Sequence, residues 1–400
     1  MDDAPPYWTN PYEDEFQVTV VSCRKTGSLY EIGIKEKAAK AAGGGQAGDK
    51  GRLLIENNEL PFSDTAVVDG VVTLIANASV KEGSIGQLNI DMNWRKSSMK
   101  NHTAEHIFMS TMIRLNPKLK LGYIWIDGEK GIVDLMGPQV NFEDLIAGEK
   151  EVQKIASQNL PVVSEVVVAK DLPEEVRARE GITNKHEELR VISIGDIDKS
   201  ACAGIHVTNT GEIGPFKVTD FKPVVGGMRV EFVTGFEATS KLSGVFNQAL
   251  ERKHTYPFEM EQLGAILDRA KESALEQAAM VDKITELLVA NPNPIDMSGV
   301  SLVHQHLPGF NSKQLKILAK QIKMDPPSAV FLFAPSDRPT LLLWTNGLPK
   351  DAAEYISKIV TNLGGSGGGS KEVYTGGFSK VDDPKLLYEQ LVEKLKEELE

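Results

Sequence analysis

Two cysteines, Cys23 and Cys202, are all that 400 residues contain, so no disulfide framework can stabilise this chain. Long apolar runs are also missing. No stretch approaches the 18 residues that a membrane-crossing helix needs, and nothing is expected to span a bilayer. The first residues lack both a cationic start and an apolar stretch, so no export signal is expected and a reducing cytoplasm is the anticipated setting. Net positive charge is lacking too: the balance is −12, which excludes a generally basic nucleic-acid coat but leaves room for a local basic face. With 41% hydrophobic and 25% charged residues, the chain reads as globular, and its length implies two to four domains.

Residues 15–92 alternate apolar and polar positions in short runs (16–21, 29–34, 52–55, 67–75) punctuated by turn residues, the pattern of a small β-barrel or sandwich. A glycine-rich loop, Gly43-Gly44-Gly45-Gln46, interrupts it. A helix is predicted over 96–115, with Ile107, Phe108, Thr111 and Met112 toward one face, followed by mixed strands and helices. From Pro257 a long helix is predicted. Met260, Leu263, Leu267, Ala270, Ala274, Gln277, Val281, Ile284 and Leu288 step by three and four, a heptad seam on an arm on the order of 45 Å long. Asn291-Pro292-Asn293-Pro294 ends it, and a compact segment containing a second glycine cluster, 364–369, follows. The expected architecture is α+β multidomain: barrel 1–92, metal-binding α+β domain 93–240, helical arm 241–293 and C-terminal globular α/β domain 294–400. The arm most naturally pairs with a second copy, giving a homodimer, although it can also fold back on its own domain.

The chemical signal is His102-Thr103-Ala104-Glu105-His106. Histidines at i and i+4 share one helical face, so both rings can reach one ion; a satisfied pair of core histidines has the same spacing. Ninety-six residues after His106 stands Cys202-Ala203-Gly204-Ile205-His206, which completes a Cys-His₃ donor set suited to zinc. A competing reading takes His102, Glu105 and His106 as an inverted metallopeptidase signature, with Glu180, Glu187 or Glu188 as the third ligand. That reading leaves Cys202 and His206 without a task.

Asn101–His106, then Cys202–Gly214, resemble the two metal motifs of the alanyl-tRNA synthetase editing domain shared by free-standing AlaX-type proteins. Gly43–Gly51 resembles that family's glycine-rich motif, and Arg190–Asp196 resembles the strand leading into its second metal motif. The cluster at 364–369 is similar to the domain that ends those synthetases, so the whole arrangement resembles the long form of AlaX. Ala203 and Ile205 stand where the family usually has a glycine and a threonine, and Lys371–Tyr374 interrupts the last glycine motif.

The resemblance implies a trans-editing hydrolase. Its substrate would be serine or glycine esterified to tRNA for alanine, with zinc on His102, His106, Cys202 and His206. ATP binding is an accompanying expectation of the synthetase likeness. Within the pocket, Thr103 is expected to read the serine hydroxyl, and Gly44 and Gln46 to let the substrate approach the loop backbone. A site that hydrogen-bonds that hydroxyl can reject alanine by about 10⁴–10⁵-fold. Glu105 is expected to be a solvated or supporting residue. Lys313, Lys316, Lys320 and Lys323, at helical spacing, are candidate contacts to tRNA phosphates, or simply a solvated face. A tRNA-binding protein that keeps zinc only for structure is the third reading.

Overall fold

The computed structural model describes residues 4–56, 58–178, 184 and 187–400. They form two compact units, Met1–Thr255 and Tyr256–Glu400.

In the first unit, six strands close an antiparallel barrel: β1 (Glu15–Thr26), β2 (Leu29–Ile34), β3 (Gly51–Ile55), β4 (Asn58–Val68), β5 (Val71–Ala76) and β6 (Ile85–Ile90), in the order β1-β2-β5-β4-β3-β6. The period-two pattern explains its interior. Val18 and Val20, Ile32 and Ile34, and Leu88 and Ile90 all point inward and are buried together with Phe62 and Leu74.

Helix α1 (Met92–Leu115) follows immediately. It starts four residues earlier than the predicted 96–115 because Asp91 caps it, accepting from the amides of Asn93 and Trp94. Residues 101–109 are all buried, so this is a central helix with no solvent face over its middle. Around it run β7 (Lys120–Ile126), β8 (Gly131–Met136), α2 (Phe142–Ser157), β9 (Val162–Val168), β10 (Glu188–Ile194), β11 (Asp198–Ala201), β12 (Phe216–Val224) and β13 (Gly227–Thr234). They make a four-stranded sheet, β12-β13-β8-β7, and a three-stranded one, β11-β10-β9. One core joins them, with Phe108 of α1 against Phe216 and Phe232. The unit ends in α3 (Gly235–Thr255), which takes up the first part of the helical arm expected over 241–293; Phe236, Val245 and Phe246 on it are largely exposed.

The second unit opens with a 3-10 turn (Met260–Gln262) and α4 (Leu263–Ala290). Beyond it lie β14 (Ile295–Met297), β15 (Val300–His306), α5 (Ser312–Gln321), β16 (Ser328–Ala334), β17 (Thr340–Asn346), α6 (Ala352–Asn362), β18 (Ser366–Gly369), β19 (Val373–Gly377) and α7 (Pro384–Leu399). The sheet order is β14-β15-β16-β17-β19-β18. Strand β16 is buried on both faces: Phe331 and Phe333 enter one core with α6 and α7, Val330 and Leu332 another with α5. Val281, Ile284 and Leu288, the C-terminal part of the heptad seam, pack on this second core. That part of the seam is therefore occupied by its own unit, while Leu267, Leu275 and Met280 stand out in solvent. The glycine cluster 364–369 forms the exposed edge hairpin β18–β19. Lys313, Lys316 and Lys320 are exposed on α5; Lys323 lies beyond the helix end at Gln321 and so is not on the same helical face.

Candidate metal centre and its cavity

Four side chains converge between α1 and the loop after β11. The donor atoms of His102, His106, Cys202 and His206 all lie within 4.8 Å of one another, and three of the four residues are buried. Cys202 Sγ is 3.5 Å from His102 Nε2 and 3.4 Å from His206 Nε2. Helical spacing aligns the first two ligands, and the 202–206 loop carries the others across. Gly204 makes the crossing possible. A Cβ there would stand 2.1 Å from Cε1 of His102, so only glycine lets the loop lie on that ring.

Each histidine has its other nitrogen fixed from behind. His106 Nδ1 lies 2.9 Å from Asp198 Oδ2, His102 Nδ1 3.2 Å from Gln46 Oε1, and His206 Nδ1 3.2 Å from Thr103 Oγ1. Such partners orient the rings and leave the three Nε2 atoms facing inward. Asp198 is itself held by Ser200 and Arg177. Arg190 donates to the Gly204 carbonyl at 2.6 Å and lies over the ring of Trp8, which fixes the loop's far side.

The electrostatics describe a site waiting for a cation. Burial raises the Cys202 thiol pKa, yet His102 and His206 outweigh it and hold the pKa well below its usual range. Burial and the neighbouring rings keep His206 neutral, its pKa far below normal. Burial also opposes charge on His106, but Asp198 and Cys202 prevail and push its pKa up to about 10. Burial raises Asp198, and His106 more than reverses this, bringing it down to about 2. A thiolate and a neutral imidazole are the forms that metal binding requires, and Asp198 holds the His106 ring from its Nδ1 side.

A cavity of about 580 Å³ opens beside the cluster. Gly44, Glu105, Arg177, Leu121 and Ile124 line it together with His102, His106 and Cys202. Of the expected pocket residues, Gly44 is thus present in the wall. Gln46 is 2% exposed and sits behind His102, where its Oε1 also accepts from the Ile205 amide at 2.9 Å. Thr103 does not reach the cavity. Its hydroxyl donates to the Met99 carbonyl at 3.0 Å and accepts from the Val207 amide at 3.2 Å, so it is consumed behind His206 and cannot read a substrate hydroxyl. Of the two expectations for Glu105, a solvated or a supporting residue, the first does not hold: at 1% exposed it is buried in the cavity wall.

Glu187 and Glu188 are exposed and outside the donor cluster, so neither supplies the metallopeptidase's distant carboxylate; Glu180 lies outside the described residues. Asp198 and Arg177 went unread in the sequence, and Arg190 was read only as the start of a strand. An acidic residue four positions before the ligand cysteine was the available signal for Asp198.

Residues 189–231 match the family described as the threonyl and alanyl tRNA synthetase second additional domain. The alanyl-tRNA editing protein AlaX-L of Pyrococcus horikoshii is 27% identical over 409 residues, covering 98% of both chains. This chain resembles AlaX-L from end to end. An alanine--tRNA ligase of Methanothrix thermoacetophila is 25% identical over 94% of this chain, which spans 42% of that ligase's length. The C-Ala domain of Aquifex aeolicus alanyl-tRNA synthetase matches 27% of this chain and 97% of its own at 20% identity, with a TM-score of 0.24 that carries no structural argument. No helix among the described residues is long and apolar enough to cross a membrane.

Proposed function

We propose that this protein is a tRNA-editing hydrolase that cleaves serine or glycine from wrongly charged tRNA for alanine. One observation carries the reading: four donor atoms, three of them on histidines fixed from behind, meet at the wall of an open cavity in a chain resembling AlaX-L throughout. A buried structural metal would not need the cavity.

Zinc is the metal proposed for His102, His106, Cys202 and His206. With Zn–S about 2.3 Å and Zn–N about 2.0–2.1 Å, the edge of a tetrahedral site is about 3.5 Å. The separations of 3.5 and 3.4 Å between Cys202 Sγ and two Nε2 atoms fit that edge. Bound there, zinc would supply Lewis-acid chemistry to an ester carbonyl. The protein's own contribution is orientation. Asp198, Gln46 and Thr103 fix the ligand rings; Gly44 presents backbone without a side chain; Leu121 and Ile124 exclude water from the acyl end. Ester hydrolysis runs downhill in water, so ATP is assigned no step. The second unit is given tRNA affinity through Lys313, Lys316 and Lys320, and self-association through the exposed part of the α4 seam, Leu267, Ala270 and Ala274.

The deciding experiment incubates the protein with Ser-, Gly- and Ala-charged tRNA for alanine, with and without a chelator. Rapid, chelator-sensitive loss of serine with alanine spared is expected. Binding of tRNA without deacylation would favour the structural-zinc reading, and cleavage of peptides instead would favour the peptidase.

A further inference from the structure

Glu105 is buried in the cavity wall with one carboxylate oxygen unpaired among the described residues. It is 1% exposed, and its Oε1 finds no hydrogen-bond donor among the described residues. Its Oε2 stands 4.0 Å from His106 Nε2, beside the donor cluster but not one of its four members. Arg177, the nearby cation, feels the charge of Glu105 but directs its hydrogen bonds to Asp198, at 3.3 and 3.2 Å, and leaves Glu105 Oε1 without a donor. A carboxylate held in this way is costly unless a cationic donor arrives. Glu105 is also the one carboxylate among the described residues lining the cavity.

We infer that Glu105 receives the α-ammonium group of an aminoacyl ester, a role that rests on the editing reading above. The charges along the cavity are ordered to suit such a ligand. Lys120 is exposed at the opening, Arg177 is partly buried, and Glu105 is fully buried beside the metal cluster. An aminoacylated nucleotide has matching polarity: phosphates lie on one side of the ester, and the ammonium lies beyond the carbonyl on the other. With the ammonium on Glu105, the ester carbonyl is left next to the four donors. The site should therefore require a free α-amino group and refuse esters whose nitrogen is acylated, as in a peptidyl-tRNA.

Two non-hydrolysable compounds test this: adenosine carrying serine on a 3′-amide, and the same compound with a hydroxyl replacing the α-amino group. Metal-loaded wild-type protein is expected to bind the amine at least tenfold tighter, as a hydrogen bond between charged groups requires. Glu105→Gln should lose that preference while keeping its metal content and its affinity for the hydroxyl compound; Glu105→Asp should regain part of it. If Glu105→Gln keeps the full preference, or weakens both compounds equally, the assignment of the ammonium to Glu105 is overturned. Equal binding of both compounds to wild type overturns it as well, with the editing reading intact. Failure of both to bind wild type would overturn the editing reading and this inference together.

Discussion

Replacing Gly204 by alanine tests the metal centre through one methyl group. The new Cβ would stand 2.1 Å from His102 Cε1, 2.5 Å from its Nδ1 and 2.7 Å from Gln46 Oε1. Gly204 is not among the residues with positive φ, so alanine meets no backbone strain there and the whole effect is steric. The loop cannot simply retreat, because the Gly204 carbonyl is held by Arg190 at 2.6 Å and the Ile205 amide by Gln46 at 2.9 Å. The His102 ring must then tilt off Gln46. Overpacking of this kind costs about 1–3 kcal/mol, and loss of a ligand's supporting hydrogen bond typically weakens a metal site about 10–100-fold. For a unit of this size the melting point should fall by about 2–4 °C per kcal/mol. Competition titration with a chromogenic chelator measures the affinity, and thermal melts with and without metal measure the rest. Gly244→Ala in α3, where an added Cβ meets nothing within 4 Å, is the matched control and should stabilise slightly, by about 0.5–1 kcal/mol. A Gly204→Ala protein that binds metal as tightly as wild type and melts at the same temperature would refute the placement of this loop on His102.

Asp198→Asn should lower metal affinity about 10–100-fold, read in the same titration, since it removes the charged partner of His106. Thr103→Val leaves the Val207 amide and His206 Nδ1 without their shared partner, costing about 1–3 kcal/mol; single-turnover rates on serine and glycine esters should fall by the same factor, whereas a loss confined to serine would restore Thr103 as a hydroxyl reader. Asp49→Ala strands the Arg95 guanidinium, which is 1% exposed, and should destabilise the first unit by about 3–5 kcal/mol in urea unfolding. Residues 1–255 alone should deacylate charged tRNA at saturating enzyme while binding it more weakly, checked by single-turnover kinetics; collapse of the saturated rate would place part of the chemistry in the second unit.

Much of the first unit was legible because its signals are local. Alternation in 16–21 and 29–34 placed inward positions of β1 and β2, and paired x₃ spacings picked out all four donors that converge. What was not legible depends on tertiary placement. Thr103 follows a ligand on the helix, but whether its hydroxyl faces the cavity or the Val207 amide depends on a segment 104 residues away. Glu105 is polar in a polar-looking motif, and its burial follows from the two sheets that enclose α1, which no helical period records. The arm expected over 241–293 was read without its break: α3 ends at Thr255 and α4 begins at Leu263, and with Phe236, Val245 and Phe246 exposed the apolar residues of α3 mark no buried face. The heptad seam was read correctly as a pattern, but a pattern does not name the surface it covers. Val281 and Leu288 found theirs on the β-sheet unit that follows.

The glycine-rich segment 43–51 shows how a barrel loop comes to govern a metal centre in another part of the unit. Gly45 lies against Ile124 so closely that a Cβ would meet its side chain at 2.5 Å, and the loop is pinned there by the Ile126 amide on the Gly45 carbonyl and the Ala47 amide on the Ile126 carbonyl. From that anchored stretch two side chains reach α1. Gln46 touches His102, and Asp49 grips Arg95 through two guanidinium nitrogens at 3.0 and 2.5 Å. Residues 95 and 102 are seven apart, two helical turns, and therefore lie on one face. The loop thus holds α1 at two points along one edge, which fixes both its rotation and its slide, while Gln46 Oε1 simultaneously holds the Ile205 amide of the second ligand pair. Rotation of α1 by a few tens of degrees would carry His102 and His106 away from Cys202 and His206. The segment's chemistry is therefore positional: Gly44 leaves the cavity wall open, and its neighbours on either side keep the four donors in register.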